Sequence, residues 1–138
     1  LRTPSLDSMG LEESLHALCR SWEQHCHTPC HIHTRTPPNP LPDACSTTLY
    51  RVTQEALTNI AKHAKASHVW VSLDPLPDAL TLTITDNGLG LPPHHATQGL
   101  GLIGMRERVA SLKGCIHLED AQPGLRIHVQ IPLNEVHA

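Results

Sequence analysis

Gln54-Glu55-Ala56-Leu57-Thr58-Asn59-Ile60-Ala61-Lys62-His63 is the stretch that decides how the rest of the chain is read. Leu49, Val52, Ala56, Ile60 and Ala64 recur at helical spacing, so one amphipathic helix is expected with an apolar stripe on its inner side. Glu55 and Asn59 are four residues apart and Lys62 follows three later, which stacks them along the other side. A carboxylate, an amide and an amine in one row can serve Mg²⁺ and phosphate. The Asn side-chain oxygen is a hard, neutral ligand, and Lys can meet a phosphate as a point charge. Taken alone, the row also reads as an ordinary solvated helix face.

Outward from this helix the pattern is mixed. Upstream, Pro4, Ser5, Asp7 and Gly10 mark a turn-rich lead-in over residues 1–10. Leu11, Leu15, Leu18 and Trp22 then predict a helix over 11–25, stopped by Thr28-Pro29. Residues 30–36 alternate, Ile32 against His31 and His33, and predict an edge strand. The run Thr36-Pro37-Pro38-Asn39-Pro40-Leu41-Pro42 can be neither helix nor central strand. The central helix is expected from Asp43 to Ala64. Downstream, residues 68–73 and 80–85 alternate and should form an antiparallel hairpin about the turn residues 74–78. Residues 86–99 read as a long loop and 100–112 as a helix ended by Gly114. Strands over 115–119 and 125–131 flank a turn at Gln122-Pro123-Gly124. Three helices and about five strands, not regularly alternating, predict a two-layer α/β sandwich with the helices on one face of a mixed sheet.

Composition narrows the function. The 138 residues suit one domain, and 39% hydrophobic content can fill a core. With two Trp, one Tyr and no Phe, that core must be aliphatic. A net charge of −3 offers no basic stripe, so nucleic acid is not an expected partner. No apolar run reaches the length of a membrane span. Leu1 is not a natural start, and the chain reads as a piece of a longer protein. Five Cys without a scaffold pattern fit a reducing compartment.

Two glycine-rich stretches carry further chemistry. Asp86-Asn87-Gly88-Leu89-Gly90-Leu91 follows a strand directly. A carboxylate there can accept a hydrogen bond from an exocyclic amine such as that of adenine. The glycines permit close approach of a ligand. A tight Asn-Gly turn is the plain alternative. Gly99-Leu100-Gly101-Leu102-Ile103-Gly104-Met105-Arg106-Glu107-Arg108 has the form of a glycine loop opening a helix, where N–H groups can hold an anion. It matches neither the Rossmann fingerprint nor the P-loop, and a simple hinge is its alternative. The cluster His25-Cys26-His27-Thr28-Pro29-Cys30-His31-Ile32-His33 has metal-binding residue types but lacks a second Cys pair.

In this order the three stretches resemble the N, G1 and G2 boxes of the gyrase/kinase/MutL ATPase superfamily, with its Bergerat ATP-binding fold. "LYRVTQEALTNIAKHAKAS" and "GLGLIGMRERVASLKG" resemble sensor histidine kinases of the nitrate-sensor and DesK type. "LRTPSLDSMGLEESLHAL" resembles the link that those kinases place before the ATP-binding domain, so residues 1–10 are expected as linker and 11–138 as the domain. The resemblance implies ATP and Mg²⁺ as cofactors and protein histidine kinase activity. It implies that Asn59 ligates Mg²⁺ and that Glu55 assists proton transfer from the accepting histidine. Lys62 is implied at the phosphates with His63 nearby, and Asp86 at the adenine amine. Gly88 and Gly90 would line the adenine pocket. Gly99 and Gly101 would hinge an ATP lid over 92–99 that includes His94 and His95 and would offer N–H groups to the phosphates, with Leu100 and Leu102 also at the ATP. It further implies an acceptor histidine on a separate dimerisation domain, and a response regulator downstream. The piece is expected to be monomeric and its parent a homodimer, as the cytoplasmic part of a bacterial sensor anchored in the inner membrane. Two departures stand out: Gly124-Leu125 replaces the usual Gly-Thr, and His16 lacks the context of a phosphoacceptor. A hydrolytic ATPase keeps a claim through Glu55, against which Lys62-His63-Ala64 speaks. An anti-sigma-type serine kinase and a non-catalytic nucleotide switch are the remaining classes.

Overall fold

The computed structural model describes residues 4–37, 40–89 and 102–133. Their order is α1 (Pro4–Cys26), β1 (Cys30–Thr34), α2 (Asp43–Asn59) running into a π-helical turn (Ile60–Ala64), β2 (Val69–Leu76), β3 (Ala79–Asp86), α3 (Leu102–Ser111), β4 (Cys115–Asp120) and β5 (Leu125–Pro132). The five strands form one sheet in the order β1-β2-β3-β5-β4. Only β1 and β2 are parallel; the other pairings are antiparallel. The expected two-layer α/β sandwich with a mixed sheet is what the chain forms.

Alternation builds the core. Val69, Val71 and Leu73 of β2, Leu80, Leu82 and Ile84 of β3, and Ile127, Val129 and Ile131 of β5 are buried. Cross-strand register aligns them, with Val71 opposite Ile84 and Ile84 opposite Ile127. Leu49, Val52, Ala56 and Ile60 of the central helix close on this surface, together with Met105 and Val109 of α3. The opposite face carries His33, Ser72, Thr83, His128 and His117 in one cross-strand row. Polar side chains on one face and aliphatic ones on the other are what a sheet covered on a single side requires.

Several expectations change in detail. The lead-in at Pro4–Met9 is helical, and the break falls at Gly10, whose φ of 79° needs glycine. The Ser14 hydroxyl donates to the Gly10 carbonyl at 2.6 Å. On α1 the inward seat after Leu15 belongs to Cys19, while Leu18 and Trp22 are only partly buried. The helix packs on both β1 and α2, so its apolar stripe divides between them. The hairpin is tighter than expected, because β2 continues through Pro75 and Leu76 and pairs Leu76 with Ala79. The left-handed residue after α3 is Lys113 (φ 61°), not Gly114. Gly114 is needed for space, since a Cβ would press on the Gln130 carbonyl and on Val109 and Ile131. Of the loop expected over 86–99, residues 90–99 lie outside the described residues.

Gly124 turns the chain into β5 at φ 99°, and a Cβ there would collide with the Asp86 carbonyl and the Asn87 Cα. Gly104, in α3, has open space around its missing Cβ. Gly124→Ala should therefore cost about 2–3 kcal/mol. Gly104→Ala should be neutral or stabilise by about 0.5–1 kcal/mol. Urea midpoints of the two variants check the contrast.

Candidate nucleotide site

Glu55 and Asn59 lie one turn apart on α2 and both are half-buried. After Asn59 the helix changes hand-over from i→i+4 to i→i+5 bonding over Ile60–Ala64. A π turn takes in one residue more than an α turn. Side chains beyond Asn59 therefore lag behind their α positions. Lys62 lines a groove between α1 and α2 with Leu18, Trp22, Leu57 and Thr58, and His63 lies within the π turn. The expected row of Glu55, Asn59 and Lys62 is thus kept for the first two only. The segment ends at Lys65 in a left-handed conformation (φ 51°, ψ 44°) that directs the chain toward β2.

Asp86 ends β3 and is 2% exposed. Its carboxylate accepts the Gly88 N–H at 2.8 Å and the backbone N–H of Leu125. Burial pushes this carboxyl above its ordinary value, against the opposing pull of those two N–H groups. The hydroxyl missing at Leu125 is thus matched by a main-chain contact from the same residue. The sequence marks that position as a departure; the structure makes it a support for Asp86.

Asn87 joins the two halves of the site. Its side-chain oxygen accepts the N–H groups of Ser67 and His68, each at 2.9 Å. Its amide donates to the Ser67 hydroxyl at 2.8 Å. The exit of the central helix is thereby tied to the residue next to Asp86. The motif contained Asn87, but its spacing signals only a turn. Gly88 follows in a half-buried bend. Gly90, Gly99, Leu100 and Gly101 lie outside the described residues, as does the 92–99 lid. Leu102 is the first residue of α3.

The metal-type cluster at 25–33 is dispersed. Cys30 is buried against Cys19 of α1, and their hydrogen bond, together with burial, pushes the Cys19 thiol up. His31 stands on the open face, with its Nε2 3.1 Å from His68 Nδ1 and both rings near Trp70. Among the described residues no group of three or more His, Cys, Asp or Glu could hold a metal. Donors for Mg²⁺ need not come from such a group. The half-buried Asn59 amide oxygen, with Glu55 one turn away, has the hard oxygen chemistry of an ion that keeps most of its water shell.

The raised Asp86 value has a definite sign for stability. The folded state holds the proton to a higher pH than the unfolded chain, so this group contributes stability that is present below 3.8 and is lost as pH rises through the raised value. The difference in unfolding free energy between wild type and Asp86→Asn should shift against the wild type across that acidic window. Urea titrations of both proteins at stepped pH measure it.

Comparison with known proteins identifies the family and the fold. Residues 45–135, more than half of the chain, match the family model described as histidine kinase-, DNA gyrase B- and HSP90-like ATPase. The chain is 38% identical over 133 residues to the signal transduction histidine-protein kinase/phosphatase UhpB of Salmonella typhimurium, covering 96% of this chain and 26% of that protein. It is 35% identical to the similarly named DegS of Brevibacillus brevis, over 96% of this chain and 35% of that one. To the nitrate/nitrite sensor protein NarX of Escherichia coli it is 31% identical, over 86% and 20%. The chain thus spans about a quarter to a third of the first of these relatives. Its fold is that of the blue-light activated histidine kinase of Erythrobacter litoralis (TM-score 0.78, 20% identity, 91% of this chain and 42% of that one). The mycobacterial sensor histidine kinase MprB is also similar (TM-score 0.69, 26% identity, 88% and 93%). The chain belongs to the histidine kinase-, DNA gyrase B- and HSP90-like ATPase family.

Proposed function

We propose that this chain is the ATP-binding catalytic domain of a sensor histidine kinase, which passes the γ-phosphate of Mg·ATP to a histidine on a separate domain. The observation that carries it is the clamp through Asn87. It holds a buried carboxylate, Asp86, beside the exit of the helix that bears Glu55 and Asn59. One end of that arrangement suits adenine and the other suits phosphate. Asp86 keeps two N–H donors on its oxygens and can still accept the adenine amine. Asn59 would hold Mg²⁺, which would supply charge neutralisation for the phosphates. Glu55 is placed to take the proton from the attacking imidazole. Lys62 and His63, in the π turn that follows Asn59, are the basic residues assigned to the phosphate end. Gly99 and Gly101 form the lid hinge in this reading, Leu100 and Leu102 lie at the ATP beside them, and Gly88 and Gly90 border the adenine.

The nucleophile is assigned to another domain for a structural reason as well. His16 on α1 is 3.0 Å from the Thr34 hydroxyl, which engages its ring against β1. Phosphoryl transfer is mostly positioning and charge neutralisation, so an acceptor must be brought in line from outside. In this reading residues 1–10 lead from the acceptor domain, the parent is a homodimer, and a response regulator takes the phosphoryl group onward. No described helix is long and apolar enough to cross a membrane; anchoring of the parent in the inner membrane belongs to the same proposal.

Asn59→Ala should abolish the Mg²⁺-dependent part of ATP binding and leave the fold intact, as judged by calorimetry and circular dichroism. The wild type should prefer ATP to GTP, and Asp86→Asn should weaken ATP binding by about 1.5–3 kcal/mol. Equal affinity for the two nucleotides would overturn the adenine assignment.

The chain alone should turn over ATP very slowly and form no stable phosphohistidine. Adding the parent's upstream helical domain should restore transfer, read by radiolabel from γ-labelled ATP. Rapid steady hydrolysis by the chain alone, lost in Glu55→Ala, would favour the hydrolytic ATPase instead.

A further inference from the structure

The indole N–H of Trp22, on α1, donates to the main-chain carbonyl of Leu57 at 2.9 Å. This contact reaches across 35 residues and joins α1 to α2. Leu57 lies two residues before Asn59. Its carbonyl also receives the Ile60 N–H, which is shared with the Ala56 carbonyl. A carbonyl has two lone pairs and can serve both donors. A shared N–H marks a loosened helical ladder, and the π turn begins at that residue. Side chains that insert polar groups into a helix ladder are a recognised cause of such irregularities, and π turns gather at functional sites.

The position of Trp22 excludes direct contact with the proposed nucleotide face. It lines the α1–α2 groove with Leu57, Thr58 and Lys62, whereas Glu55 and Asn59 follow the other side of α2. Trp22 therefore acts through the helix backbone rather than on the nucleotide, with Lys62 of the same groove as its one neighbour assigned to the phosphates. Leu18 and the rest of the groove supply apolar packing that many side chains could provide. The hydrogen bond requires a donor at the ring's edge.

We propose that Trp22 is a positioning residue for the Mg²⁺–phosphate end of the site: its indole N–H, bonded to the Leu57 carbonyl between Glu55 and Asn59, holds that turn of α2 and so sets Asn59 relative to Glu55. This rests on the nucleotide-binding reading given above. The adenine end, built on Asp86, Gly88 and Leu125, is independent of this bond.

The test compares binding of a non-hydrolysable ATP analogue with Mg²⁺ and with EDTA, in wild type, Trp22→Phe and a variant carrying 3-benzothienylalanine at position 22. The last keeps the bicyclic ring and lacks the N–H. Both variants should lose about five- to tenfold of the Mg²⁺-dependent gain in affinity, while affinity in EDTA stays at the wild-type value. A purely structural role would lower both affinities together with the melting temperature, and that result overturns the proposal. Retention of the full Mg²⁺-dependent gain by the benzothienyl variant also overturns it, because the ring alone would then suffice. If the wild type itself shows no Mg²⁺-dependent gain, the nucleotide-site reading falls and this inference with it. A gain in wild type that survives in both variants removes only the role of Trp22.

Discussion

The side-chain oxygen of Asn87, taking two backbone N–H groups at Ser67 and His68, is the constraint on which the site depends. Those donors belong to the short link between the π turn and β2. In water they would be solvated, but here they fix the end of one element against the start of another. The link has no helical or strand ladder of its own to hold it. Asn87 does so: its amide oxygen takes both N–H groups, its amide donates to the Ser67 hydroxyl, and its backbone N–H donates to the His68 carbonyl at 3.3 Å. Asp86 is placed by its pairing with Val69 at the end of β3, and its burial is tolerated because two main-chain N–H groups meet its oxygens. Gly124 completes the arrangement by letting the β4–β5 turn come against the Asp86 backbone.

Around that point the sandwich has a clear division of labour. The aliphatic face of β2, β3 and β5 is sealed by the central helix and α3. α1 is held at the β1 edge by polar contacts as well as by Leu11 and Leu15. Glu12 accepts the hydroxyls of Thr34 at 2.9 Å and Thr36 at 2.6 Å, and those bonds hold its carboxyl below the ordinary value. Cys30 N–H donates to Glu23 at 2.8 Å. α1 thus touches both the edge strand and the helix that bears Asn59. Motion of α1 would be felt at both, which gives the Trp22–Leu57 bond its mechanical setting.

The open face is chemically different. Arg126 approaches Thr85 at 3.4 Å and Glu119 at 4.0 Å. His31, His68 and Trp70 form an exposed aromatic group near the β1 edge. Asp74 receives Ser72, with His33 and Arg35 close by. These exposed pairs contribute little to stability. Their side chains serve to keep the uncovered face and the edge strand soluble.

Periodicity was enough to reveal the helices, the strands and the sandwich, because alternating Val, Leu and Ile can bury themselves only one way. It also singled out Glu55 and Asn59 as candidates, since a carboxylate and an amide at that spacing stand out against an aliphatic background, and Asp86 drew attention as a carboxylate at the end of a strand. The limits of β2, the helical lead-in before Gly10 and the left-handed Lys113 were less legible, because local propensity was overridden by pairing and packing. Three features belong to tertiary structure alone. The π turn leaves no trace in residue spacing, as i+4 and i+5 neighbours cannot be told apart over a single turn. The N–H groups of Gly88 and Leu125 on Asp86 involve the main chain, which every sequence possesses. The Trp22–Leu57 bond joins residues 35 apart, and only the packing of α1 on α2 brings the indole donor to that carbonyl.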